Sequence, residues 1–173
     1  MRSSSASAGI ATTPLGPVIV VTSGERLTGL YFDGHPRTPW LDGIQRRETD
    51  AVEQVRIELE EYFEGRRTGF SIPLRLDGTS FQVAVWRALI DIAPGTTATY
   101  GEIARQVGRP QAARAVGAAN GRNPISIIVP CHRLVGADGT LTGYGWGIDR
   151  KRRLLELERR VMEDRLEISS ART

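Results

Sequence analysis

Along residues 1–78 the apolar positions fall mostly with the period of strands. Thr13-Pro14-Leu15-Gly16-Pro17 reads as a turn, Pro17–Thr22 as a strand, Ser23-Gly24 as a second turn and Arg26–Phe32 as a second strand, a hairpin-like opening. Asp33–Arg47, with its Pro and Gly residues, reads as loop. Asp50 then predicts a helix cap, with Glu53 three residues on and an apolar stripe of Val52, Val55, Leu59, Tyr62 and Phe63, stopped by Gly65. Phe70, Ile72, Leu74 and Leu76 alternate, which predicts a half-buried strand.

After Gly78 the period lengthens to that of helices. Ser80 can cap a helix bearing Phe81, Val85, Leu89 and Ile92, ended by Pro94-Gly95. Thr99 and Glu102 form a capping-box pattern for a short helix with Ile103, Ala104 and Val107 inward. Gly108 closes it, and a further helix is expected from about Gln111 to Ala119, which makes a helix-turn-helix pattern. Ile127–Val129 predicts a short strand running into Pro130-Cys131-His132-Arg133. Asp149 predicts the cap of a last helix to about Glu163, with Leu154, Leu155, Leu157, Val161 and Met162 on its apolar side. The expected fold class is α/β (α+β). Residues 1–9 form a disordered lead-in, and 10–78 a small N-terminal α/β domain with antiparallel strands. Residues 79–165 form a mostly helical C-terminal domain containing the helix-turn-helix, and 166–173 a tail.

Composition narrows the class. With 40% hydrophobic and 25% charged residues, the chain is globular, which excludes a disordered or collagen-like protein. No apolar run is long enough for a membrane helix, and the Ser/Ala-rich start lacks the core of a secretory signal, so no membrane partner is expected. Residues 1–78 carry net charge −2 and residues 79–173 net +5, so the second half is the better face for a polyanion. The single cysteine, Cys131, permits no intramolecular disulfide and no Cys-based zinc site. A reducing, cytoplasmic location is expected. Of the two histidines, His35 in a Pro-containing loop has no assigned role.

The candidate chemistry gathers around Cys131. A lone cysteine at a strand end is usually a small hydrophobe. An adjacent imidazole and the charge of Arg133 favour the thiolate, the form that attacks. Neighbours on a regular strand point to opposite faces, so Cys131 and His132 meet only if the chain turns at Pro130. A third group is needed to orient the ring. Glu158 falls on the apolar stripe of the last helix, where a carboxylate is costly unless paired. It accepts a hydrogen bond from His132, or it pairs with an arginine such as Arg165 or Arg87. Glu156 lies off the stripe and reads as a surface charge.

Two further segments carry open alternatives. Ala112, Ala113, Ala115, Gly117, Ala118 and Ala119 around Arg114 suit tight helix packing, or a low-profile surface with one cation projecting into a groove. Gly143-Tyr144-Gly145-Trp146-Gly147 offers close backbone approach with aromatic walls, or is an ordinary turn.

These residues carry a resemblance. Residues 79–160 closely resemble the O6-alkylguanine-DNA alkyltransferases, the methylated-DNA–protein-cysteine methyltransferases. The matching segments are Phe81-Gln82 to Trp86, Thr99 to Ala104, Ala112 to Gly117, Asn123-Pro124, Ile128 to Arg133, Gly143-Tyr144-Gly145 and Leu154 to Glu158. Residues 10–78 resemble the family's N-terminal domain only loosely. The resemblance implies direct-reversal DNA repair. A cysteine matching Cys131 takes the alkyl group from guanine O6 irreversibly, once per molecule. A residue matching His132 deprotonates the thiol through a water, one matching Glu158 orients the imidazole, and one matching Asn123 holds the turn. The second helix, with Ala112, Ala113 and Gly117, enters the minor groove of double-stranded DNA. Arg114 fills the stack left by the flipped guanine, and Tyr100 helps to rotate it. Leu134, Tyr144, Gly145 and Trp146 line the substrate pocket.

Trp146 stands where some members have glycine, which implies a narrower pocket for bulky adducts. No cofactor and no metal are expected, and the protein is expected to be a monomer in solution, with cooperative assembly on DNA left open. Two other functions compete: a helix-turn-helix damage-sensing DNA-binding protein without transfer, and a Cys/His hydrolase, for which no local signature is present.

Overall fold

The computed structural model describes residues 6–34, 38, 41 and 44–171, and His35 lies outside them. The chain divides into two compact units, Met1–Gly78 with Pro124–Ile128, and Thr79–Asn123 with Val129–Thr173.

The first unit is a four-stranded sheet with one helix. Strands β1 (Ala6–Ala11), β2 (Val18–Ser23), β3 (Arg26–Phe32) and β4 (Gln45–Arg46) lie in the order β3-β2-β1-β4. The first three are antiparallel, and β4 joins β1 in parallel. Ala6–Gly9, expected in a disordered lead-in, thus belong to β1. Small Ser and Ala side chains give little hydrophobic signal, yet Ser7 and Ala8 are buried between β2 and β4. The expected loop likewise contains β4. Helix α1 (Asp50–Phe63) is capped by Thr49, one residue before the expected cap, its hydroxyl accepting from Val52 N at 3.2 Å. Val52, Val55 and Leu59 are buried along α1, as are Val18, Val20, Leu27 and Leu30 in the sheet.

Residues 70–76 keep the alternation but do not form the expected strand. Ile72 is buried while Ser71, Pro73 and Arg75 are exposed. Only Leu74 bridges, to Leu27, through Leu27 N to Pro73 O and Arg75 N to Leu27 O. Pro73 has no N–H to extend the ladder. The buried Glu58 carboxylate holds the segment's start, accepting from Ser71 N at 2.8 Å, from Ile72 N at 3.4 Å and from the Ser71 hydroxyl. Residues 124–128 add one bridge to the first unit, Ile125 to Leu30. The expected strand at Ile127–Val129 is instead a turn, with Ile127 in the left-handed region at φ 70°. The β-branched run signals a strand, but among the described residues no partner strand lies alongside it.

In the second unit α2 (Ser80–Ile90) packs against α3 (Tyr100–Gln106) and α4 (Ala113–Gly121). Thr79, not Ser80, caps α2, in a reciprocal pair with Gln82. Thr99 caps α3 with Glu102, as the spacing predicts. The buried Trp86 Nε1 donates to Ala119 O at 2.9 Å and fixes α2 on α4. A two-residue parallel pair, β5 (Ala98–Thr99) with β6 (Leu134–Val135), ties the start of α3 to the segment after Cys131. Helix α5 runs Ile148–Ser170 from Gly147, not Asp149. The expected tail is therefore helical through Ser170. Leu166 and Ile168 are exposed there, so no apolar stripe signals the extension.

Candidate active site

Cys131, His132 and Arg133 form one turn of 3-10 helix directly after Pro130. Cys131 N donates to Val129 O at 2.8 Å and Arg133 N to Pro130 O at 2.9 Å. The chain thus turns where a strand would have sent Cys131 and His132 apart, and three successive side chains enter the interior in three directions. Cys131 is 3% exposed and His132 is 0% exposed. Asn123 Nδ2 donates to Val129 O at 2.8 Å and braces the turn from the end of α4.

Glu158 of α5 is the hub. Its Oε1 lies 2.8 Å from His132 Nε2. Arg133 grips the same carboxylate with both Nε and Nη2, each at 2.9 Å, and gives Nη1 to Ile92 O at 2.5 Å. The sequence left two readings of Glu158 open, and the structure combines them: it meets the imidazole and an arginine, which is Arg133 rather than the Arg165 or Arg87 considered. Burial pushes the Glu158 carboxyl up, but His132 and Arg133 outweigh it and hold it well below the usual carboxylate range. Burial pushes the His132 imidazole down against the pull of Glu158, which leaves the ring neutral. A neutral ring facing a carboxylate carries its proton on Nε2, so Nδ1 is a free acceptor. That Nδ1 is buried and has no hydrogen-bond partner among the described residues.

Burial raises the Cys131 thiol, while hydrogen bonds from Asn123 and Tyr144 and the charge of Lys151 act the other way. Lys151 was not among the candidates. It is 0% exposed on α5, and its ammonium donates to Thr142 O at 2.7 Å and to Leu134 O. Its signal lay in position: three residues before Leu154 and seven before Glu158, it falls on the buried stripe. Arg133, read only as a nearby charge, was also missed as the partner of Glu158.

Tyr100 and the glycine loop meet. Tyr100 OH donates to Thr142 O at 3.3 Å, and a Cβ at Gly143 would lie 2.8 Å from that hydroxyl. A Cβ at Gly117 of α4 would sit 3.6 Å from the Tyr100 ring, so small residues there let α3 and α4 close up. Leu134, Tyr144 and Trp146 are buried and Gly145 is half-buried. Arg114 is exposed on α4, with Ala112 and Ala113 half-buried at its start. Among the described residues no group of three His, Cys, Asp or Glu could hold a metal ion, and no helix is long and apolar enough to cross a membrane.

Known proteins resemble this chain in sequence and in fold. Residues 80–160 match the family model "6-O-methylguanine DNA methyltransferase, DNA binding domain", and residues 8–76 match "6-O-methylguanine DNA methyltransferase, ribonuclease-like domain". The methylated-DNA–protein-cysteine methyltransferase of Mycobacterium leprae is 50% identical over 151 residues, covering 85% of this chain and 88% of the relative. That of Haemophilus influenzae is 45% identical over 148 residues, covering 85% and 83%. Among solved structures, the Mycobacterium tuberculosis protein crystallised with DNA is 48% identical with TM-score 0.79, covering 90% of this chain and 93% of that one.

Proposed function

The chain belongs to the O6-methylguanine-DNA methyltransferase family, and on that premise we propose that Cys131 is the acceptor of its alkyl transfer. The protein binds DNA and performs direct-reversal repair. The Cys131 thiolate attacks the alkyl carbon on guanine O6. The C–S bond forms as the C–O bond breaks, its electron pair goes to the guanine, and the purine takes up a proton. The thioether is stable, so each molecule acts once.

The observation that carries this reading is the buried 2.8 Å contact of Glu158 with His132 in the turn that holds Cys131. Glu158 fixes the tautomer that leaves Nδ1 an acceptor. Nδ1 takes the thiol proton through a bridging water, and Asn123 keeps the turn in place. Chemistry on a duplex base requires the nucleotide to leave the stack. Arg114, exposed on the small-residue helix α4, fills the gap from the minor groove, with Ala112, Ala113 and Gly117 allowing close approach. Tyr100 helps to rotate the nucleotide, which Leu134, Tyr144, Gly145 and Trp146 receive. The protein is a monomer in solution and resides in the reducing cytoplasm, where the thiol stays free.

Intact and peptide mass spectrometry after incubation with an O6-methylguanine duplex tests the reading. One methylene mass per molecule, localised to Cys131, is expected. DNA binding without that gain would favour the damage-sensing alternative and reduce Cys131 to a packed thiol.

A further inference from the structure

Around Cys131 the buried charges do not balance. The charged and titratable groups there are His132, Arg133, Glu158, Lys151 and Tyr144. Arg133 and Glu158 neutralise each other through two hydrogen bonds, and His132 is neutral. Lys151 is left. It is fully buried and makes no ion pair with a carboxylate among the described residues. Two of its three donors meet the carbonyls of Leu134 and Thr142. Carbonyl dipoles solvate an ammonium only in part, and a buried cation calls for an anion.

The group that couples to Lys151 by charge and can become an anion is Cys131. The rest of the chain underlines the choice of residue. Of 23 basic residues, only Lys151 is lysine. A planar guanidinium cannot pass as a compact donor between two facing carbonyls as an ammonium can. The same two bonds tie β6, directly after the Cys131 turn, to the residue where Tyr100 also donates, so one cation is held three residues from Cys131 and fixes both sides of the loop.

Resting on the reading of Cys131 as acceptor, we propose that Lys151 is the positioning residue whose buried ammonium stabilises the Cys131 thiolate, while its two carbonyl bonds hold the walls beside it. It acts on the reaction through the sulfur. His132 removes the proton, and Lys151 makes the resulting anion less costly. Burial lowers the ammonium and Cys131 acts to raise it, which together bring it down to about 8, so the two groups titrate as a coupled pair.

One lysine and one cysteine in the chain make the pair directly observable. With lysine labelled by 13C at Cε, NMR reads the Lys151 titration alone, and absorbance near 240 nm, with the tyrosinate signal of Cys131→Ser subtracted, reads the Cys131 thiolate. In the wild-type background, Cys131→Ser should lower the Lys151 midpoint, because the anion is gone. Lys151→Met should raise the thiolate midpoint by about one pH unit or more. The pH–rate profile of transfer from an O6-methylguanine duplex should move by the same amount, with the rate recovering at high pH. An unmoved thiolate midpoint in Lys151→Met, or an unmoved Lys151 midpoint in Cys131→Ser, would overturn the proposal. If Lys151→Met does not fold, the Cys131→Ser comparison decides alone. Coupled midpoints without transfer to DNA would sink the acceptor reading and leave the coupling standing. Transfer without coupled midpoints would do the reverse.

Discussion

Glu158 meets His132 at 2.8 Å across 26 residues of sequence, and the same carboxylate is locked by Arg133, the residue next to that histidine. Orientation of the ring and burial of the arginine therefore depend on one side chain. Glu158→Gln leaves the Arg133 guanidinium buried with no counter-ion. Breaking a buried pair from one side costs about 3–5 kcal/mol. Denaturant unfolding should show a loss of that size. Single-turnover transfer should fall by at least about tenfold, since a neutral amide no longer selects the tautomer. A stable, fully active variant would show that Glu158 neither orients His132 nor balances Arg133.

Glu58 sets an acid limit on the first unit. Burial opposes its ionisation, but donors from Ser71, Gln54 and Ile72 outweigh burial and hold the carboxyl below its ordinary 4.5. The unfolded chain then takes up this proton at higher pH than the folded one. The stability from Glu58 is complete above about pH 4.5 and drains away as pH falls through the folded value. Glu58→Gln should cost about 1–3 kcal/mol at pH 7, as hydrogen bonds to a charged group are lost. The gap between variant and wild type should close towards pH 3 in urea titrations. A gap independent of pH would show that the charge of Glu58 contributes nothing.

Much of the helical half was legible, and the physical reason is that its signals are local. The Thr99–Glu102 cap and the Val85, Leu89 spacing sit within one turn of the atoms they satisfy. Cap positions shifted by one where two candidates adjoin, as with Thr79 and Ser80. Non-local features were less legible. β1 depends on β2 and β4 for its burial, and residues 124–128 return to β3 from the far half of the chain. In the site, Cys131, His132 and Glu158 could be picked out by chemistry and helical spacing. Lys151 could not, because a lysine reads as solvated until its neighbours on the stripe are counted.

Ile127 illustrates a cost invisible in sequence. A β-branched residue at φ 70° is strained by about 1–2 kcal/mol, and its side chain is nonetheless buried. Truncation should invert the ordinary order of glycine and alanine. Ile127→Ala loses the side chain and keeps the strain, whereas Ile127→Gly loses the side chain and relieves it. Thermal unfolding should therefore find Ile127→Gly the more stable of the two by about 1 kcal/mol. The opposite order would mean that the turn relaxes once the side chain is gone.

Arg114 offers a way to test DNA handling apart from chemistry. It is exposed on α4, and no residue of the Cys131 cluster bonds to it in the described structure. Arg114→Ala should leave the fold and the thiol intact. Transfer from O6-methylguanine within a duplex should fall by about tenfold, equivalent to about 1.4 kcal/mol of the barrier, if the side chain fills the vacated stack. Reaction with free O6-benzylguanine, which needs no nucleotide to leave a helix, should change far less. Phosphate contacts are salt-sensitive, so both measurements belong at one fixed ionic strength. Equal losses on the duplex and the free base would assign Arg114 to the site itself. Equal retention on both would remove it from base extrusion and leave α4 to act through its small residues alone.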